Sequence, residues 1–133
     1  MEDTVTISKN TEFIKQIPLL PGCYMFKNEA GHIQYIGKAK ILRRRIYQYF
    51  KDKLPIKIQR MVYISSHISY ITTDNEVEAL ILENNLIKKY KPKYNSLLKD
   101  DKRYIWVKIT NDYYPKIERV REKLKDKNKR YSG

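Results

Sequence analysis

The chain has 133 residues, enough for one domain with a core of its own and too few for two. Lysine and arginine number 28 against 15 acidic residues, and the resulting net charge of +13 points to a polyanionic partner, most simply nucleic acid. A single cysteine, Cys23, excludes an intramolecular disulfide and a thiolate zinc framework, and two histidines support neither a histidine-rich metal site nor a Ser-His-Asp arrangement.

The N-terminus, Met1-Glu2-Asp3-Thr4, opens with acids and lacks the apolar stretch of a secretory signal. No apolar run reaches membrane-spanning length, so a cytoplasmic chain is expected. Residues 1–10 are polar and read as frayed, and 11–17 as a short helix ended by Pro18. Two short strands, 22–27 and 32–36, flank the turn-forming tetrad Asn28-Glu29-Ala30-Gly31. If that tetrad is the whole loop, Lys27 faces His32 and Tyr24 stands directly opposite Tyr35 on one sheet face.

Residues 39–51 have helical spacing, with Leu42, Ile46 and Tyr49 on one stripe. Pro55 opens a second helix that turns Ile58, Met61 and Val62 inward. A third strand is expected at 69–72, then a longer helix capped by Thr73 or Asp74 and stopped near Tyr90 by Lys91-Pro92. After the turn at 99–102, residues 104–109 alternate like a strand, and the basic tail from 111 fits either a helix or an edge strand. These elements predict a small α/β domain, a short antiparallel sheet flanked by helices.

Three constellations carry chemistry. Glu83 falls in the middle of an apolar stripe, with Ala79 and Leu80 one turn before it and Leu86 and Ile87 one turn after. A carboxylate there costs stability unless it has a partner. That partner is either a basic side chain or a divalent cation, since hard oxygen donors suit Mg²⁺ or Mn²⁺. Glu76, two turns earlier, is the spare candidate ligand. Lys38, Arg45 and Tyr49 form the second group, aligned if one helix carries all three. Arg45 alone of the Arg43-Arg44-Arg45 run borders the apolar stripe, where a guanidinium beside a phenol can clamp a phosphate. The third group is Tyr24 and Tyr35, followed by Gly37, which permits a close approach, and by Lys38. A nearby cation lowers a phenol's pKa from its ordinary value of ~10, which a tyrosine base requires. Lys40, Arg43, Arg44, Lys88, Lys89, Lys91 and Lys93 form a basic exterior expected to follow DNA backbone.

Gly22-Cys23-Tyr24 and Tyr35-Ile36-Gly37 resemble the two tripeptides of the GIY-YIG nuclease superfamily. The likeness is closest to its UvrC-type N-terminal domains. It rests on Leu20-Pro21-Gly22, on Tyr35-Ile36-Gly37-Lys38-Ala39-Lys40, and on a run from Glu76 through Glu83-x-Asn85-Leu86-Ile87-Lys88-Lys89-Tyr90-Lys91-Pro92-Lys93-Tyr94-Asn95. Cys23 stands where the family has an aliphatic residue, and Ile105 where it has a proline.

The resemblance implies a three-stranded antiparallel sheet with surrounding helices, within a nuclease domain over 19–110 between an N-terminal segment (1–18) and a basic tail (111–133). It implies a Mg²⁺- or Mn²⁺-dependent endonuclease making the 3′-side incision of nucleotide excision repair in double-stranded DNA, acting with UvrB and indirectly with UvrA. Tyr24, Tyr35, Lys38, Arg45, Tyr49 and Asn95 would line the catalytic site and Glu83 would bind the metal. The resemblance also makes the chain a fragment of a longer protein. A stand-alone GIY-YIG endonuclease, a non-catalytic nucleic-acid-binding domain and a tyrosine-nucleophile strand-transfer enzyme remain the alternatives.

Overall fold

Gly22–Lys27 (β2) is the most apolar strand, and it is central because both of its edges are hydrogen-bonded in the sheet. A computed structural model describes residues 2–51 and 53–98. The chain divides into two units, Met1–Leu97 and Leu98–Gly133. The turn expected at 99–102, the strand at 104–109 and the tail at 111–133 lie outside the described residues.

The sheet is antiparallel throughout and has four strands, in the order β1-β4-β2-β3. Asp3–Thr6 (β1) is the addition to the expected three: it pairs along His67–Thr72 (β4), with Val5 turned inward and Thr4 hydrogen-bonded to Ser69 at 2.9 Å. The segment read as frayed is therefore an edge strand, which one buried valine and two β-branched threonines are enough to place.

Between β2 and Ile33–Ala39 (β3) the register differs from expectation. The amide of Asn28 bonds to the carbonyl of His32, Gly31 adopts φ 88°, and a bulge falls between Phe26 and Lys27. Tyr24 therefore faces Gly37, and Phe26 faces Tyr35. A slip of two residues keeps side chains on the same face, so both tyrosines still share it, as diagonal neighbours.

That face is covered by Leu42–Lys51 (α1) and by a 3-10 turn at Thr11–Gln16. Rings of Phe13, Tyr24, Phe26, Tyr49 and Phe50 meet edge to face, Phe26 and Tyr49 at 4.9 Å between centroids. The helix begins at Leu42 and not at residue 39, because Ala39 still belongs to β3 and the first helical amides find partners elsewhere. Leu42 and Arg43 donate to the carbonyls of Leu20 and Pro18 at 2.8 and 3.2 Å. A second helix, Ile56–Ile64 (α2), follows Pro55 as predicted and buries Ile58 and Met61.

Glu76–Tyr90 (α3) packs against β2 and β3, with Ala79 fully buried and the Cys23 thiol donating to its carbonyl at 3.0 Å. Its cap is Asn75, one residue beyond the expected positions. The Asn75 side chain accepts from the Glu78 amide at 2.8 Å, and the Glu78 carboxylate accepts from the Asp74 amide at 3.1 Å. Lys91, in the left-handed region, ends the helix before Pro92, and a short helix, Lys93–Leu97 (α4), follows.

Candidate active site

β2 contributes Tyr24, whose phenol is buried under α1 and shares a 2.8 Å hydrogen bond with the phenol of Tyr49. Gly37 is what makes room for it. A Cβ at position 37 would lie 2.4 Å from the Tyr24 hydroxyl oxygen and 2.5 Å from Cζ. The close approach expected at this glycine is thus made by the neighbouring tyrosine ring. Tyr35, 6.5 Å from Tyr24 between centroids, is the only one of the site's three tyrosines that is not fully buried.

From α1 come Arg45 and Tyr49, one turn apart and both buried. Arg45 donates from Nη1 to the carbonyl of Lys38 at 2.8 Å, which fixes a guanidinium beside the phenols. Gln48, also buried on this helix, carries no signal in the sequence, since a glutamine in a basic helix reads as solvated. Arg44 is exposed as expected, but Arg43 is not the solvated cation predicted for it. Its Nε donates to the Ile17 carbonyl at 2.7 Å and one Nη to that of Lys15 at 3.2 Å, so it ties α1 to the 3-10 turn.

Lys38 differs from expectation in two ways. It lies on β3, so no helix aligns it with Arg45 and Tyr49. Its ammonium reaches Glu76 at 3.0 Å, which also commits the spare metal-ligand candidate to an ion pair. The cation acting on the phenols is Arg45. Burial outweighs it: desolvation, with smaller repulsion from Glu83, holds Tyr24 and Tyr35 above their ordinary range, and Tyr49 stands well above it. The phenols are therefore neutral hydrogen-bonding groups at pH 7, and a phenolate here needs more positive charge than the chain provides.

Glu83 is half-buried on α3, with Ala79 buried one turn before it and Leu80 exposed, so it sits at the rim of the apolar stripe and not inside it. Its charge reaches Cys23, Tyr24 and Tyr35. Among the described residues no three His, Cys, Asp or Glu side chains gather as a metal cage. One hard carboxylate suits an ion such as Mg²⁺, which keeps most of its water and completes its shell with phosphate oxygens.

Asn95, on α4, bonds to the backbone of β3. Its Oδ1 accepts from the Ile36 amide at 2.8 Å and its Nδ2 donates to the Ile36 carbonyl at 2.9 Å, so the amide pairs with the outer edge of β3 as a neighbouring strand would. The peptide it holds lies between Tyr35 and Gly37. Lys40, Lys88, Lys89, Lys91 and Lys93 are exposed, the last four at the end of α3 and the start of α4.

The model of the UvrC-like GIY-YIG domain matches residues 20–96, the segment that holds every one of these side chains. The chain belongs to that family. It is 50% identical over 119 residues to UvrABC system protein C of Clostridium acetobutylicum, covering 87% of this chain and 19% of that one. Against the Syntrophomonas wolfei protein of the same name it is 47% identical over 125 residues, covering 92% and 21%. The chain thus spans about a fifth of these curated relatives. Among solved structures it resembles the GIY-YIG N-terminal endonuclease domain of UvrC from Thermotoga maritima, which was solved bound to its catalytic divalent cation, magnesium. The TM-score is 0.56 at 44% identity, covering 62% of this chain and 96% of that domain.

Proposed function

We propose that this chain is a Mg²⁺- or Mn²⁺-dependent DNA endonuclease domain, residues 19–110 with a basic tail beyond, that makes the 3′-side incision of nucleotide excision repair. It hydrolyses a phosphodiester with water as the nucleophile, in the cytoplasm, within a UvrABC-type system with UvrB and, through it, UvrA. The observation that carries this reading is the meeting of three phenols and a buried guanidinium on one sheet face, within range of the Glu83 charge. No helix among the described residues is long and apolar enough to cross a membrane.

Glu83 would hold the ion, which when bound supplies the positive charge that polarises the scissile phosphate and stabilises the leaving 3′-oxygen. Arg45, preset by the Lys38 carbonyl, neutralises charge growing on the non-bridging oxygens. Tyr35, the least buried of the three phenols, would orient the attacking water and, as the phenolate that the ion's positive charge would favour, take its proton. Tyr24 and Tyr49 share a proton between their hydroxyls and leave one O–H to donate to phosphate. Exposed lysines follow the backbone and give binding without sequence preference.

The test is incision of a labelled nicked or damaged duplex with Mg²⁺ or Mn²⁺, with and without UvrB, by wild type and Glu83→Gln. Cutting on the 3′ side by wild type, lost in Glu83→Gln with DNA binding retained, is the expected result. Equal cutting by both overturns the metal assignment, and metal-independent cutting overturns the mechanism.

A further inference from the structure

We infer that Glu76 is a positioning residue for Lys38 in the incision reaction proposed above, an inference that rests on that reading. Lys38 follows Tyr35-Ile36-Gly37 on β3 and faces Cys23 across the ladder. Its four-carbon stem would sample many rotamers if nothing held the ammonium. Glu76 Oε2 holds it at 3.0 Å, with the two side chains only 23% and 35% exposed. The carboxylate stands where negative charge is favoured. Glu76 is the first residue of α3, where free backbone amides and the helix dipole favour negative charge, and Asn75 caps that end.

The pair also closes a circuit. Ala79 packs on Cys23, and Glu76 and Glu83 flank it three residues before and four after, on the same helix face. The Lys38 carbonyl meanwhile accepts from Arg45 on α1. Lys38 thus joins the helix of the phosphate-clamping arginine to the helix of the proposed metal ligand. An ammonium has three protons, and one spent on Glu76 leaves two for a phosphate oxygen.

A carboxylate beside the ammonium repels incoming phosphate while it orients the lysine, so its removal should move binding and turnover in opposite directions. A merely structural ion pair would not do this. In the 133-residue chain assayed on nicked duplex with Mg²⁺ and UvrB, Glu76→Gln is expected to lower kcat at least tenfold. KM for DNA should fall, and the thermal midpoint should stay close to wild type. Glu76→Asp should recover part of the rate, and Glu76→Gln combined with Lys38→Met should cut no more slowly than Lys38→Met alone.

Wild-type kcat in Glu76→Gln overturns the inference, as do effects that multiply in the double variant. A Lys38→Met chain that cuts normally removes Lys38 from the site and the inference with it. If Glu83→Gln also cuts normally, the metal assignment has failed with it, and cutting that needs no metal overturns the proposed mechanism; if Glu83→Gln is dead, only the account of Lys38 has failed.

Discussion

Helices α1 and α3 both bring side chains to the candidate site, Arg45 and Tyr49 from one and Glu83 from the other, and they are held by different means. α1 buries Leu42, Arg45, Ile46, Gln48 and Tyr49, so its two functional side chains are fixed by the packing that stabilises the domain. α3 buries only Ala79 of its fifteen residues and exposes Val77, Leu80 and Ile81. Its carboxylates are placed by discrete polar ties: the Cys23 thiol on Ala79, the Asn75 cap and the Lys38–Glu76 pair. Damage to α1 should therefore appear first as lost stability, and damage around α3 first as lost rate.

The sharpest way to break that contrast is to truncate one apolar residue on each helix. Ile46→Ala empties a fully buried position and is expected to cost about 3 kcal/mol in denaturant unfolding. Leu80→Ala, at a position 42% exposed, should stay within about 0.5 kcal/mol. Equal losses would mean that α3 is packed as tightly as α1. Next in size is Gly37→Ala, where the added methyl must displace the Tyr24 ring that α1 covers. We expect about 1–3 kcal/mol of destabilisation and, because the phenol moves by a sizeable fraction of an ångström, incision slower by about a hundredfold. Unchanged incision would show that Tyr24 does not need its position.

Asn95→Ala tests the outer edge of the sheet, where α4 supplies the hydrogen-bonding partner. Two hydrogen bonds to the Ile36 peptide are lost at a half-buried site, a cost of about 2 kcal/mol. Incision should suffer more than stability does, because Tyr35 and Gly37 flank that peptide. A variant destabilised but fully active would confine Asn95 to the fold.

The pattern of what could be read ahead of the structure follows the same division. The α1 stripe, with Arg45 alone turned inward, is legible from spacing because burial there is strong and periodic. The hairpin register is not, since a loop one residue longer than the tetrad and a one-residue bulge at Phe26–Lys27 leave no mark in the turn residues and together shift the pairing by two. Edge strand β1 has one buried side chain, too weak a period to outweigh its polar surroundings. The partners of Lys38 and Arg43 were out of reach for a further reason. A long cationic side chain goes to whichever carboxylate or carbonyl the fold brings near, and residues 38 and 76 meet only through the packing of α3 on the sheet. Asn95 was legible only through resemblance, because a polar side chain that pairs with a strand edge has no periodicity of its own.

The smallest effect expected lies where the two regimes meet, at Cys23, which is buried in the sheet and bonded to α3. Burial, and secondarily the nearby Glu83 charge, pushes its thiol up to about 12, with Lys38 opposing. The unfolded chain releases this proton near the ordinary value of 9.0. Between those values the unfolded state binds fewer protons than the native one, so the thiol's contribution to stability is complete below pH 9 and declines as pH rises towards 12. The buried tyrosines pull in the same direction, so wild type alone cannot isolate the cysteine. Cys23→Ala removes this titration and leaves that of the tyrosines in place. At pH 7 it should cost about 1 kcal/mol, for the lost contact and its weak hydrogen bond. Above pH 9 its stability should fall less steeply than that of wild type, so that the two curves converge. Parallel curves from pH 9 to 12 would mean that the thiol is open to water, and that α3 is not seated on the sheet at Ala79.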